Sequence, residues 1–256
     1  MAAGGGIDPI HQFHINPIVE LKPFGLNLSF TNTSLWMVIV TAVVSAIMIY
    51  GSSQRSVVPG RLQSLAEMMY EFVASTLTGV MNKDGMKFFP FVFSLFMFVL
   101  ASNLLGLLPG SFTVTSQIIV TAALAVLVMS VVLIYGIAKH GTHFFGLFVP
   151  SGVPGWLLPF VVLIEVVSFV SRPVSLSLRL FGNMLAGHIA LKVFGGFVVA
   201  LTTGAAAGLF TYAIAPLPLL LAVALTALEV LVAVLQAYVF AILTCVYLND
   251  ALHPGH

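Results

Sequence analysis

Arg179 is the residue that most needs a chemical explanation. It lies in the stretch Pro173-Val-Ser-Leu-Ser-Leu-Arg179-Leu-Phe-Gly-Asn183-Met-Leu-Ala-Gly-His188, inside a long apolar run. A guanidinium keeps its charge at any working pH. In hydrocarbon such a charge is costly on every scale, so its position marks a functional site. Glu165 and Arg172 precede it at intervals of seven residues, and seven residues return to within about 20° of the same helix face. Ser168, Ser175, Asn183, Ala186 and Ala190 fall on or beside that stripe. A face of charges and small residues is not a lipid face; it calls for water or a closely approaching protein partner. Gly182 and Gly187 would let a neighbouring helix come near. Packing around a structural Glu165–Arg172 pair would explain those two residues equally well. It would not explain Arg179, for which the chain has few intramembrane carboxylates to offer.

A second polar group faces elsewhere. His188 is nine residues from Arg179, about 180° around a helix, and so points away from the arginine stripe. Further on, Glu229 and Gln236 are seven apart and share a face, with Thr226 and Tyr238 adding polarity nearby. If the helices holding His188 and Glu229 pair antiparallel about a turn near 204–212, the two groups lie at matching depth. A carboxylate and an imidazole within a bilayer make a plausible proton relay, because histidine titrates near neutrality. One hydrogen-bonded Glu–His pair that merely joins two helices remains the alternative.

The elements that must carry these groups are apolar helices. The chain is 60% hydrophobic and 7% charged, against about 25% charged in soluble domains. That composition reads as an all-α polytopic membrane protein. Residues 1–32 are polar and broken by Pro9, Pro17 and Pro23, an exposed arm. The rest reads as a single integral membrane domain, 33–256. Residues 34–50 form a first span, capped by Ser34 or Thr33. At 60–82, Leu62, Leu65, Met69, Phe72, Val73, Thr76 and Val80 follow helical spacing while Arg61, Glu67 and Glu71 take other faces. This predicts an amphipathic helix at the membrane surface. Spans at 88–108 and 115–138 are joined closely enough to form an antiparallel hairpin, with Asn103 as its most buried-looking polar group.

The last segments, 157–200 and 216–250, are too long to cross upright. A 44-residue helix is about 66 Å long against a hydrocarbon core of about 30 Å. Either Pro159 and Pro173 break the first of them, or both lie strongly tilted; two long, nearly in-plane helices are expected. Gly195-Gly196 through Gly204 to Pro216 and Pro218 reads as the turn between them.

Several functions find no support. A net charge of +1 gives no polybasic case for nucleic acid. Cys245 is the single cysteine, so no internal disulfide or cysteine-based metal cluster can form. His11 with His14, and His140 with His143, read as loop histidines without a third ligand. No metal or cofactor is expected. No phosphate loop of the Gly-x4-Gly-Lys type occurs, so no nucleotide is bound directly. A self-contained secondary transporter or channel would show internal repeats and broken helices around a central site, and none is visible. An intramembrane enzyme would need a His-Glu-x-x-His helix or a nucleophile with its base.

The stretch 172–188 resembles the signature of subunit a of the F-type ATP synthase. The similarity covers most of the chain and sharpens again at Glu229, Gln236-Ala237 and Val246-Tyr247-Leu248. The resemblance implies a membrane stator subunit, not catalytic by itself, that forms two proton half-channels beside a ring of c subunits. Peripheral-stalk b-type subunits, the other ATP synthase subunits and the lipid bilayer are its implied partners. By resemblance, Arg179 faces the ring and Gln236 sits across from it. Glu229, His188 and Asn183 belong to the inlet half-channel, and Glu165 and Arg172 lie toward the outlet. Asn103, Ser175, Thr226 and Tyr238 are further channel-lining positions. The pairing of His188 with Glu229 is similar to the mitochondrial and alphaproteobacterial branch. Gly106 stands where some members carry an aspartate.

Basic residues set the orientation. Arg55, Arg61, Lys83, Lys87 and Lys139 fall in two loops that five crossings put on one side, while the other side has Lys22, with Lys192 near it. Residues 1–15 lack a basic n-region and an apolar h-region, so no cleaved leader is read there. The expected place is the bacterial inner membrane with a periplasmic N-terminus and cytoplasmic C-terminus, or alternatively the mitochondrial inner membrane. A cysteine introduced at Ser53 should therefore react with an impermeant thiol reagent from the cytoplasmic side only, and one at Gly5 from the opposite side only; the reverse labelling would invert the topology.

Overall fold

The computed structural model describes residues 13–20, 29–53, 59–108, 110–141, 144, 146, 149, 156–203, 214 and 216–252. Expectations placed on His11, Arg55, His143 and the stretch 204–213 lie outside the described residues. Among the described residues six α-helices follow one another: α1 Asn32–Ser53, α2 Arg61–Met81, α3 Phe89–Gly106, α4 Ile118–His140, α5 Leu158–Thr203 and α6 Pro216–Leu252. Five stretches are long and apolar enough to cross a membrane, with α2 and α3 counted together. The chain is the all-α polytopic membrane protein that its composition indicates.

Helix α1 starts two residues before the expected position. Its first turn is held by Thr31 and Asn32 rather than by Thr33 or Ser34. The Ser34 amide donates to Thr31 Oγ1 at 3.4 Å and the Asn32 side chain accepts from the Thr33 and Asn16 amides. Helix starts need such acceptors because their first amides have no partner within the helix. The described part of the N-terminal arm is not all irregular. Pro17–Val19 (β1) pairs antiparallel with Phe30–Thr31 (β2), and Gln117 donates to the Phe13 carbonyl at 3.1 Å. The arm and the α3–α4 connection thus share one end of the molecule.

Helix α2 is amphipathic, but its buried stripe is Ala66, Val73, Leu77 and Met81. Leu62, Leu65 and Phe72 stay exposed. Val73 aside, these inward positions were not in the apolar set read from the sequence. An outward apolar edge is what a helix at the membrane interface needs to meet lipid. A 3-10 segment, Asn82–Phe88, leads into α3.

The α3–α4 hairpin forms as expected, although α4 begins three residues late. Val114–Ser116 make a separate 3-10 turn, and all three residues are buried. Thr115 donates to Asn103 Oδ1 at 2.8 Å, and Asn103 Nδ2 donates to the Ala233 carbonyl at 3.1 Å. Asn103, 0% exposed, is therefore a satisfied junction between α3, the hairpin turn and α6. Inside apolar surroundings both ends of an amide must be paired in this way.

Helix α5 runs unbroken for 46 residues, with Pro173 inside it, and α6 for 37. At 1.5 Å per residue they measure about 69 and 56 Å. The expected turn at Gly195-Gly196 is not there: both glycines are helical. Each interior glycine costs a helix only about 1 kcal/mol relative to alanine. The two helices are antiparallel neighbours. Arg172 meets Asp250, Asn183 meets Gln236, and Gly187 meets Glu229, so residue numbers fall on one helix as they rise on the other. At the other end, Lys139 and His140 both reach the Leu252 carbonyl, at 3.3 and 3.1 Å. That carbonyl is among the four that a helix end leaves unpaired, and the Lys139 ammonium suits its partial negative charge.

The core joins α2, α3, α4, α5 and α6 through Leu77, Phe96, Val128, Leu176, Leu180 and Phe240. Gly136 of α4 lies against the ring of Phe144, where a Cβ would overlap the ring atoms. Gly136→Val should push Phe144 out of its buried position and lower stability by about 1–3 kcal/mol, visible as an earlier thermal unfolding transition in detergent; an unchanged transition would mean that the ring is free to move.

Candidate functional site

Helix α5 has two unlike faces. Phe169, Leu176, Leu180 and Met184 are buried because they pack inward at helical spacing. Ser168, Ser171, Ser175, Arg179, Asn183 and Ala186 are exposed. Ser168, Ser175, Asn183 and Ala186 belong with Arg179 to the stripe anticipated from the seven-residue spacing, and no described residue covers them; Glu165, Arg172 and Ala190, expected on the same stripe, are half-buried. A Cβ at Gly182 would meet nothing within 4 Å. Among the described residues Arg179 has no hydrogen-bonding or ion-pair partner; Tyr247 of α6 is near enough to feel its charge.

The Glu165–Arg172 pair does not form. Arg172 donates to Asp250 Oδ2 at 2.8 Å, with its guanidinium 5.1 Å from the Tyr247 ring and 5.7 Å from the Phe169 ring. The reason is geometric. Glu165 is two turns away along the axis of α5, whereas Asp250 faces Arg172 directly from the antiparallel helix. Asp250 was not singled out in the sequence. Its signal was present: a carboxylate in the last turn of a helix is electrostatically misplaced and calls for a nearby cation.

Between the helices, Asn183 Nδ2 donates to Gln236 Oε1 at 2.9 Å. Gln236 is 1% exposed, and its hydrogen bond is to Asn183, one turn beyond Arg179. Its Nε2 is buried without a partner among the described residues. Glu229 is also buried, at 6% exposed. Its Oε1 lies against the Cα of Gly187, where any side chain on residue 187 would collide with it. Its Oε2 has no hydrogen-bond partner among the described residues. The small residue at 187 thus lets the carboxylate enter the α5–α6 interface.

His188 follows immediately, and it points away from the arginine face as expected. Its partner is not Glu229. His188 Nε2 lies 2.8 Å from Thr113 Oγ1 in the α3–α4 connection, and its ring is 6.3 Å from that of Phe13. Glu229 and His188 flank Gly187 without a direct hydrogen bond between them. Thr113 and Phe13 were not foreseen, because their sequence separation from His188 conceals the contact. The remaining positions read as channel lining diverge. Ser175 is on the open α5 stripe. Thr226 is exposed and bonds back to the Ala222 carbonyl at 2.9 Å. Tyr238 packs 5.5 Å from Phe72 of α2. Among the described residues no group of three His, Cys, Asp or Glu is placed to hold a metal ion.

A long antiparallel helical pair that buries a carboxylate and an amide, and shows an arginine without a partner among the described residues, defines a polytopic membrane protein built to handle charge within the bilayer. Residues 34–249 match the family described as ATP synthase A chain. The chain is 60% identical to ATP synthase subunit a of Beijerinckia indica subsp. indica over 256 residues, all of both chains. It is 63% identical to that of Chelativorans sp. (strain BNC1) over 249 residues, 97% of this chain and 99% of the relative. With that of Mesorhizobium japonicum it shares 61% over 254 residues, 99% of this chain and 100% of the relative. The chain belongs to the ATP synthase subunit a family, and these relatives are alphaproteobacterial.

If Arg172 and Asp250 clamp the C-terminal turn of α6 onto α5, their removals should not add. Arg172→Ala and Asp250→Ala together should destabilise by about 1 kcal/mol less than the sum of the single changes, measured as a double-mutant cycle of unfolding in detergent; strict additivity would show that the pair carries no energy.

Proposed function

We propose that Arg179 is the fixed charge past which the carboxylates of a rotating c ring move, with Gln236 across from it, and that Glu229, His188 and Asn183 line the proton inlet. The chain is a proton-translocating membrane subunit of an ATP synthase and not a catalyst by itself. It is a multi-pass protein of the bacterial inner membrane. The observation that carries the proposal is the exposed Arg179 on an uncovered stripe of an intramembrane helix. A charge so placed needs a partner of opposite sign, and this chain supplies none among its described residues.

The mechanism follows from electrostatics. A rotor carboxylate enters lipid only when protonated, because its anion is too costly there. Facing Arg179 it is stabilised as the anion and gives up its proton toward the outlet, at the end of the pair marked by Glu165, Arg172 and Asp250. As the ring turns on, the carboxylate takes a proton from the inlet before it re-enters lipid. The open stripe of Ser168, Ser175, Gly182 and Ala186 supports the close approach of a ring helix, since small side chains let backbones come near. Buried Glu229, with one oxygen unpaired among the described residues, supports a site that exchanges a proton rather than one locked in a structural bond. Peripheral-stalk b-type subunits complete the proposed set of partners, with the N-terminus periplasmic and the C-terminus cytoplasmic.

Replacing Arg179 with alanine should abolish ATP synthesis driven by a proton gradient and open a passive leak, because a neutral site lets the carboxylate swing back while protonated. Lysine should not restore full function: its ammonium lacks the planar fork and can lose its proton when buried. Proton permeability and ATP synthesis in vesicles carrying the intact complex are the measurements; synthesis preserved in Arg179→Ala would remove the assignment. In the same vesicles Glu229→Leu should assemble but conduct protons poorly, Glu229→Asp should keep part of the flux, and wild-type flux in Glu229→Leu would make that carboxylate purely structural.

A further inference from the structure

We propose that Thr113 is a positioning residue of the inlet: it holds neutral His188 with the proton on Nε2, so that protons enter and leave the imidazole at Nδ1. This rests on the reading of His188 as an inlet group.

The argument begins at the end of α3. The last four carbonyls of a helix have no partner within it, and Gly106 is the final residue of α3. Two hydroxyls approach its carbonyl, Ser111 Oγ and Thr113 Oγ1, each at 3.1 Å. The Ser111 hydroxyl is closer to the Leu108 carbonyl, at 2.7 Å, and has one proton to give. The Gly106 carbonyl is thus left to Thr113. With Ser111 donating to Leu108 and Thr113 to Gly106, the Thr113 oxygen presents lone pairs to His188 Nε2, 2.8 Å away, and all three contacts are hydrogen bonds. A proton on Nε2 completes that network; a neutral ring with its proton on Nδ1 would draw the Thr113 proton away from Gly106 and cost one of the three bonds. Gly106 makes this possible: a Cβ there would lie 2.8 Å from Thr113 Cγ2 and 3.1 Å from its Oγ1.

The proton balance is simple. A proton arriving at Nδ1 makes the imidazolium, whose Nε2–H stays on Thr113. Release of the Nδ1 proton to the next carrier restores the same neutral tautomer, with no ring flip. Around the ring stand Lys192, one turn further along α5, the Glu229 carboxylate across Gly187, and the Phe13 ring at 6.3 Å. Thr113 is buried, so water does not compete freely for its hydroxyl.

The test uses the assembled complex in lipid. With isotope-labelled histidine, the difference spectrum between wild type and His188→Gln isolates the His188 ring nitrogens by solid-state NMR. The neutral ring should carry its proton on Nε2 in wild type and in Thr113→Ser, and become a mixture in Thr113→Val. Proton flux should fall about tenfold in Thr113→Val, the scale of one lost hydrogen bond, and stay within about twofold of wild type in Thr113→Ser. A wild-type ring protonated on Nδ1 overturns the inference, as does undiminished flux in Thr113→Val. Equal loss in the valine and serine variants overturns it too, because packing and not the hydroxyl would then matter. Full flux in His188→Gln would instead take away the inlet reading itself, an outcome distinct from the other three.

Discussion

The structure depends on the constraint that a guanidinium cannot discharge itself. An aspartate, a histidine or a lysine buried in hydrocarbon can shed its charge through a shifted pKa. Arginine cannot, so its surroundings must answer. Arg172 and Arg179 lie on the same face of α5, two turns apart, and receive different answers. Arg172 is met within the chain by Asp250 and two aromatic rings. Arg179 faces outward with no described partner. The same side chain therefore acts as a fastener at one depth and as an unmet charge at another, which is the physical basis for assigning the second to a partner subunit.

The length of α5 and α6 follows from the same need. An upright helix crosses about 30 Å of hydrocarbon and offers an outside partner only a short contact. Helices of about 69 and 56 Å laid side by side present a long face. They also form a long internal seam, into which Gln236 and Glu229 are drawn, with Asn183 bonded to Gln236 at its exposed edge. Small residues set the spacing of that seam: Gly187 admits the Glu229 carboxylate, and no larger residue could stand there without displacing it. The α3–α4 hairpin closes one end through Asn103 and Thr113, while Lys139 and His140 hold the C-terminus of α6 at the other.

Much of this was legible in the sequence. Composition and apolar run lengths are intrinsic to a chain in lipid, where backbone groups must be satisfied within helices. They determined the all-α polytopic class and the two overlong helices. Helical periodicity determined that Arg179 and Ser175 share a face and that His188 points away from it, because these residues lie on one continuous helix. The density of residues around Arg179 determined the family. What the sequence could not determine were contacts between elements. The partner of Arg172 is 78 residues away at Asp250, and that of His188 is 75 residues away at Thr113. Periodicity ranks residues around one axis but says nothing about which neighbour lies across a gap. Only the antiparallel register of α5 against α6 turned Arg172 from Glu165 to Asp250. Only the tight turn after α3 brought a hydroxyl, bound to a helix-end carbonyl, onto the imidazole.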